Sequence, residues 1–168
     1  MKKIACTLVI ILFFLAGMAQ SAPNSDVPPF KRFPTVPPFK ILKVDSVTLF
    51  TKDQLAAKKP VFLMLFSPEC DHCKHETEEL IKNINKFKKI QIVMATPMPF
   101  DKMKEFYAHY DLKRFSNITM GRDVSFMLPP FFNVRTLPFL AFYDKSGNLI
   151  DTFEGSLPIE KVLEKFNK

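Results

Sequence analysis

Two cysteines, a glutamate and a proline are the residues of this chain whose types and spacing could do chemistry. Cys70 and Cys73 stand in Phe66-Ser67-Pro68-Glu69-Cys70-Asp71-His72-Cys73. Two thiols in a Cys-x-x-Cys can close a disulfide, exchange one with a partner, or bind a soft metal, and their setting decides which. Upstream, Val61-Phe62-Leu63-Met64-Leu65-Phe66 is apolar without alternation. That pattern reads as a strand buried on both faces of a largely parallel sheet. Downstream, Cys73, Leu80, Ile84 and Phe87 recur at helical spacing, with one face on the core. The pair therefore falls at a strand-to-helix junction, where Cys70 faces the unpaired amides and the positive end of the helix.

Glu76 follows from spacing alone. Positions 73, 76, 80, 84 and 87 are separated by steps of 3, 4, 4 and 3, so Glu76 shares the inward stripe. No lysine lies one helical turn away to pair it at the surface, since the positions three and four away are His72, Cys73, Glu79 and Leu80. A carboxylate there is expected to be desolvated, with a raised pKa and close to Cys73. That suits a proton acceptor for the second thiol. Asp71 and His72 lie between the cysteines, and a modulating role is expected of them on the resemblance given below.

The elements that must hold this site follow from the rest of the chain. Lys2 and Lys3 precede an apolar run from Ile4 to Met18, and small residues follow at Ala19, Ser21 and Ala22. This is the layout of a secretory signal peptide over residues 1–22, and the run is short of the roughly 20 residues that span a bilayer. Cys6 goes with it. Without residues 1–22 the chain keeps 146 residues, two cysteines and a net charge of +5. That is one domain in a compartment where disulfides form. A bridge closing so small a loop removes little chain entropy, so the pair is kept for chemistry. The lysines are scattered without a basic stripe carrying exposed aromatics, which reads as a solvated surface and argues against nucleic acid as a partner.

Residues 23–38 hold six prolines and a repeat, Val27-Pro28-Pro29-Phe30-Lys31 and Val36-Pro37-Pro38-Phe39-Lys40. An extended tether or edge wrap is expected there. Residues 39–168 form the domain. It opens with a hairpin over Phe39–Val44 and Val47–Phe50 and a capped turn at Thr51–Leu55. A βαβ unit follows over residues 61–95, then a crossover helix carrying Met103, Phe106, Tyr107 and Tyr110. Next come a weak strand at Asn117–Met120 and the proline-broken segment Phe126–Phe132, whose aromatics are expected in the core or at the site rim. A second hairpin, Phe139–Tyr143 with Leu149–Phe153, precedes a last helix with Ile159, Val162, Leu163 and Phe166 inward.

This order, with Cys-x-x-Cys at the first long helix and a proline-led hairpin later, resembles the thioredoxin fold. The resemblance extends through Lys59-Pro60-Val61, Phe66 to Cys73, Leu137-Pro138-Phe139 and Asp144-Lys145-Ser146-Gly147-Asn148-Leu149 to the envelope thiol-disulfide oxidoreductases of the TlpA/ResA type, over residues 37–168. It implies a three-layer α/β/α domain with a central mixed sheet and an N-terminal hairpin extension. It further implies Cys70 as nucleophile, Cys73 as resolving thiol and Pro138 as a cis-proline whose preceding backbone, at Leu137, pairs with a substrate. A glutamate in the place of Glu76 is also what such proteins carry. The family's implied partners are protein disulfides and an envelope thiol donor or acceptor, in the periplasm or cell envelope, with no cofactor. Two departures stand out: Glu69 occupies the usual place of a tryptophan, and Met64 that of the buried aspartate of thioredoxin. His72 matches DsbA-like oxidants, whose imidazole stabilises the first thiolate, whereas Glu76 matches the reductants. A Cu(I)-binding or metal-delivery protein on the same fold is the alternative, since thiols and a histidine are soft ligands. An interaction module with an inert disulfide and a docking proline segment ranks third.

Overall fold

The computed structural model describes residues 27–167. The expected signal segment 1–22, with Cys6, and the start of the proline-rich segment lie outside the described residues. The central strand β3 (Val61–Leu65) is buried along its whole length, as its unbroken apolar run requires of a strand with neighbours on both sides. The other strands are β1 (Lys40–Lys43), β2 (Leu49–Thr51), β4 (Gln91–Thr96), β5 (Ile118–Arg122), β6 (Phe139–Tyr143) and β7 (Leu149–Glu154). They form one sheet of order β2-β1-β5-β4-β3-β6-β7. β3 runs parallel to β4, from Val61 opposite Gln91 to Leu65 opposite Ala95, and β4 runs parallel to β5. β6 is antiparallel to β3, and the β1–β2 hairpin joins antiparallel to β5. The mixed sheet thus brings the ends of β3, β4 and β5 and the start of β6 to one edge.

The helices are α1 (Pro29–Arg32), α2 (Asp71–Lys82), α3 (Phe100–His109), α4 (Leu128–Phe132) and α5 (Ile159–Glu164). Period-2 alternation divides the sheet between two cores. Phe62, Met64 and Phe66 meet Cys73 and Leu80 of α2, Met103 and Phe106 of α3, and Ile159 and Val162 of α5. Phe62 and Phe142 stack across the β3–β6 pair with centroids 5.3 Å apart. On the other face Val61, Leu63 and Leu65 meet Phe30, Val36 and Phe39 of the N-terminal segment and Leu128 and Phe132 of α4. Three helices thus cover one face, and short helices with extended chain cover the other.

Gly121 sets the spacing of β5 and β1: a Cβ there would stand 2.9 Å from the buried Ile41 side chain. Only glycine allows the two backbones so close.

Three expectations need correction. The proline-rich segment is not extended throughout, because Pro29 opens the single turn α1 and Phe30 is buried. Proline's fixed φ suits a first helical position, where its missing N–H costs nothing. Beyond that turn the segment does wrap an edge: the Val36 N–H donates to Gly147 O at 2.9 Å and Leu149 N–H to Pro34 O at 2.8 Å. The helix over Cys73 to Phe87 ends at Lys82, and Ile84–Phe87 form a 3-10 turn with Ile84 half-buried. Asn83 stops it, since its backbone and side-chain amides both donate to Glu79 O, the local competition that disfavours asparagine inside helices. Phe126 is not core. It is 58 % exposed with φ +52°, because Asp123 is buried and turns the chain back by accepting Leu128 N–H at 2.8 Å.

Candidate active site

Cys70 ends the loop that follows β3 and is the N-cap residue of α2. The loop reaches it by two tight bonds, Glu69 N–H to Ser67 Oγ at 3.3 Å and Cys70 N–H to Ser67 O at 3.1 Å. The Cys70 sulfur takes the part of an N-cap oxygen: Cys73 N–H donates to it at 3.3 Å, one of the four amides a helix start leaves unpaired. The same sulfur lies 3.8 Å from Leu137 O, to which its thiol donates. Leu137-Pro138 is a cis peptide. Cys70, Cys73, Leu137 and Pro138 are thus together although 67 residues separate Cys70 from Leu137.

The two free thiols sit in unlike places. Cys70 is half-buried and Cys73 is fully buried. Burial pushes the Cys73 thiol far up, its hydrogen bond with Cys70 adds to this, and the Ser67 amide only partly offsets them. Cys73 therefore stays protonated near neutrality unless a base takes its proton.

Glu76 is buried beside it, 2 % exposed. Loss of hydration raises its pKa to about 7, against the lowering effect of a 2.9 Å bond that its Oε2 accepts from Leu157 N–H, while the Glu79 charge raises it further. Its Oε1 is buried with no partner among the described residues. The carboxyl is therefore half satisfied, poised at neutral pH and aligned on the helix face of Cys73.

The chain after β7 clamps this helix. Gly155, at φ +96°, donates to Pro138 O at 2.7 Å. Ser156 Oγ then donates to His72 O at 3.0 Å, and Leu157 reaches Glu76. Ser156 and Leu157 escape sequence reasoning because they act through a hydroxyl in a loop and a backbone amide, neither of which has a pattern. Gly155 is the only available signal, a residue able to turn the chain at positive φ.

The two residues between the cysteines stand apart. Asp71 is exposed and pairs with Lys74 at 2.8 Å, which lowers its pKa. The His72 side chain is exposed, and its backbone oxygen rather than its ring is what the rest of the site uses. Met64 is buried in the apolar core below. A cavity of about 560 Å³ opens beside the pair between Glu69, Lys74, Phe106 and Tyr110. Among the described residues no three or more His, Cys, Asp and Glu side chains gather as a metal site would need. No helix among them is long and apolar enough to cross a membrane.

The chain matches a family model described as a thioredoxin-like domain over residues 51–168. No curated protein matches it. Among solved structures, MTB DsbF superposes with a TM-score of 0.65 at 23% identity, covering 78% of this chain and 96% of that one. A secreted Mycobacterium tuberculosis disulfide oxidoreductase homologous to E. coli DsbE gives 0.64 at 19% identity, covering 76% and 93%. StoA from Bacillus subtilis gives 0.59 at 14% identity, covering 79% and 98%. At these identities the likeness establishes the fold.

Proposed function

Since this chain belongs to the thioredoxin-like domain family by its match over residues 51–168, we propose that it is a thiol-disulfide oxidoreductase of the TlpA/ResA type. In this reading it is exported to the cell envelope and reduces disulfides of protein partners. The observation that carries the proposal is the unlike setting of the two thiols, with a half-buried Cys70 at the helix start and a fully buried Cys73 backed by Glu76.

The steps follow from that geometry. The Cys70 thiolate attacks one sulfur of a substrate disulfide, a mixed disulfide forms, and the substrate's other sulfur leaves as a thiolate that takes up a proton. Leu137 O, which faces Cys70 from the loop leading into β6, is the acceptor that a substrate backbone amide would meet. Cys73 then attacks Cys70 Sγ. Its proton passes to Glu76, the second substrate sulfur leaves, and Cys70 and Cys73 remain joined as a disulfide. A dithiol partner in the envelope restores both thiols by the reverse exchange, and the Glu76 proton returns to Cys73. Burial makes Glu76 the built-in part of this site, whereas the His72 ring is exposed. That favours the reductive direction over DsbA-like oxidation.

The test is turnover and capture together. Wild-type protein is expected to reduce insulin with a dithiol reductant present, and Cys73→Ser to hold a partner on Cys70 as a mixed disulfide that reductant releases. Absence of both activities, with the fold retained by circular dichroism, contradicts the proposal.

A further inference from the structure

The sheet edge opposite the thiols has a chemistry that the redox reading does not use. β3, β4 and β5 begin there, β6 ends there, and the chain's last turn returns to it. Lys58, Lys59, Lys86, Lys88, Lys89 and Lys145 fringe a cavity of about 720 Å³ at this edge, and all six are exposed. Its floor is apolar, formed by Ile90, Leu163 and Phe166. Of these six lysines only Lys86 has an acidic partner among the described residues, Glu160 at 3.7 Å. These are six of the 22 Lys and Arg side chains that the chain carries without residues 1–22, so positive charge is gathered at this end of the sheet.

The loops that carry these lysines are fixed even though their ammonium groups are exposed. Gln91 braces the first loop, its amide donating to Ala56 O at 3.0 Å and Lys59 O at 3.4 Å while its oxygen accepts Ala56 N–H. Asn117 braces the second, donating to Phe87 O at 3.0 Å and Ile90 O at 3.3 Å. Asp144 closes the turn around Lys145 by accepting Ser146 and Asn148 amides. Lys58 is held at φ +59°, which orders a backbone that a lysine does not choose for itself. The result is a set of charges with fixed roots and exposed tips.

We propose that this lysine-fringed face docks the protein on an anionic phospholipid bilayer, leaving the thiol edge turned to the aqueous side. Charge complementarity and the apolar floor carry the choice of partner. Every fringe cation is a lysine, a point charge on a flexible stem, and none is the planar arginine fork that selects a carboxylate or phosphate in one geometry. Such a set suits many interchangeable headgroups. Ile90, Leu163 and Phe166 offer acyl-chain contact between the charges. The five residues of β3 hold the two edges apart by about 16 Å, more than the Debye length of about 8 Å at physiological salt. Docking therefore leaves Cys70 clear of the surface. The inference does not rest on the redox activity and survives its failure.

The experiment is vesicle sedimentation of the full chain, comparing phosphatidylglycerol–phosphatidylcholine mixtures with phosphatidylcholine alone. The apolar run of residues 4–18 contributes alike in every variant, so differences report the groove. Wild type is expected to prefer the anionic vesicles and to lose that preference as salt rises. Replacing Lys58, Lys88 and Lys145 together by Gln is expected to weaken anionic binding roughly a hundredfold, at about a factor of five per lysine. The same three changed to Arg are expected to keep it, which separates charge from folding damage. Bound protein should show these lysines protected from acetylation, with Cys70 alkylated at its unbound rate. Equal binding by wild type and the Gln variant overturns the proposal. So does binding of polyglutamate through these lysines without binding of vesicles, which assigns the face to an acidic protein.

Discussion

The two edges of the sheet treat charge in opposite ways. At the thiol edge the reactive groups are held from afar: Cys73 and Glu76 are buried, and Leu137, Ser156 and Leu157 reach Cys70, His72 and Glu76 in turn across long stretches of chain. At the lysine edge the backbone is braced and the charges stand in water. Burial makes a few groups chemically specific by shifting where their protons sit. Exposed lysines act on a partner through their number. One edge should therefore fail when a single atom changes, and the other only by increments.

The largest effect that would sharpen this contrast is at Cys70. Cys70→Ser is expected to reduce disulfide turnover to the buffer rate in an insulin-reduction assay. Retained turnover would remove the thiol edge from the chemistry.

Next is Glu76→Gln, which keeps an oxygen for Leu157 and removes the base. Resolution of the mixed disulfide is expected to slow about a hundredfold. The wild-type rate of that step should climb with pH to a bend at about 7, and the variant should lack the bend. An unchanged profile would make Glu76 a structural residue only.

The same group gives a stability signature. Glu76 releases its proton at about 7 when folded and near 4.5 otherwise, so between these values the unfolded chain ionises first. Its stabilisation is complete below pH 4.5 and is lost as pH rises to about 7, a change on the order of 3 kcal/mol. Urea unfolding across that window should show the decline in wild type and a flatter curve in Glu76→Gln.

Gly121→Ala tests packing near the thiol edge. It should cost about 1–3 kcal/mol, because the new methyl meets Ile41. The smallest effect belongs to the lysine edge, where Lys59→Gln or Lys89→Gln should change stability by less than about 0.5 kcal/mol. A larger loss there would mean these lysines hold structure and are not a free surface.

How far this contrast could be read beforehand follows the same division. β3 announces itself by six apolar residues in a row, and Glu76 by its register with Cys73, Leu80 and Phe87, because burial leaves a periodic trace. Pro138 could be paired with Cys70 only through a family likeness, since no local pattern joins residues so far apart. Ser156 and Leu157 left no trace, as loop hydroxyls and amides have no period. The lysine edge reads in the sequence as a solvated surface, and its lysines are exposed, but their gathering at one edge has no local pattern. Lys58, Lys88 and Lys145 come from separate loops, and only the β3–β4–β6 pairing makes them neighbours. The turn at Pro29–Arg32 was missed for a simpler reason: proline density argues against helices in general but not against their first position.

The central claim, that Cys70 and Cys73 form a working reductant pair, is tested most directly by their equilibrium with glutathione couples. The fraction of Cys70–Cys73 disulfide at each ratio gives the potential, with about 30 mV for each 1.4 kcal/mol. We expect a reversible two-electron transition between about −270 and −180 mV, in the range of thioredoxin to protein disulfide isomerase. A potential near −120 mV would place the pair with the oxidants and make His72 the governing residue. A bridge that stays closed below about −300 mV would be a structural staple and would contradict the account outright.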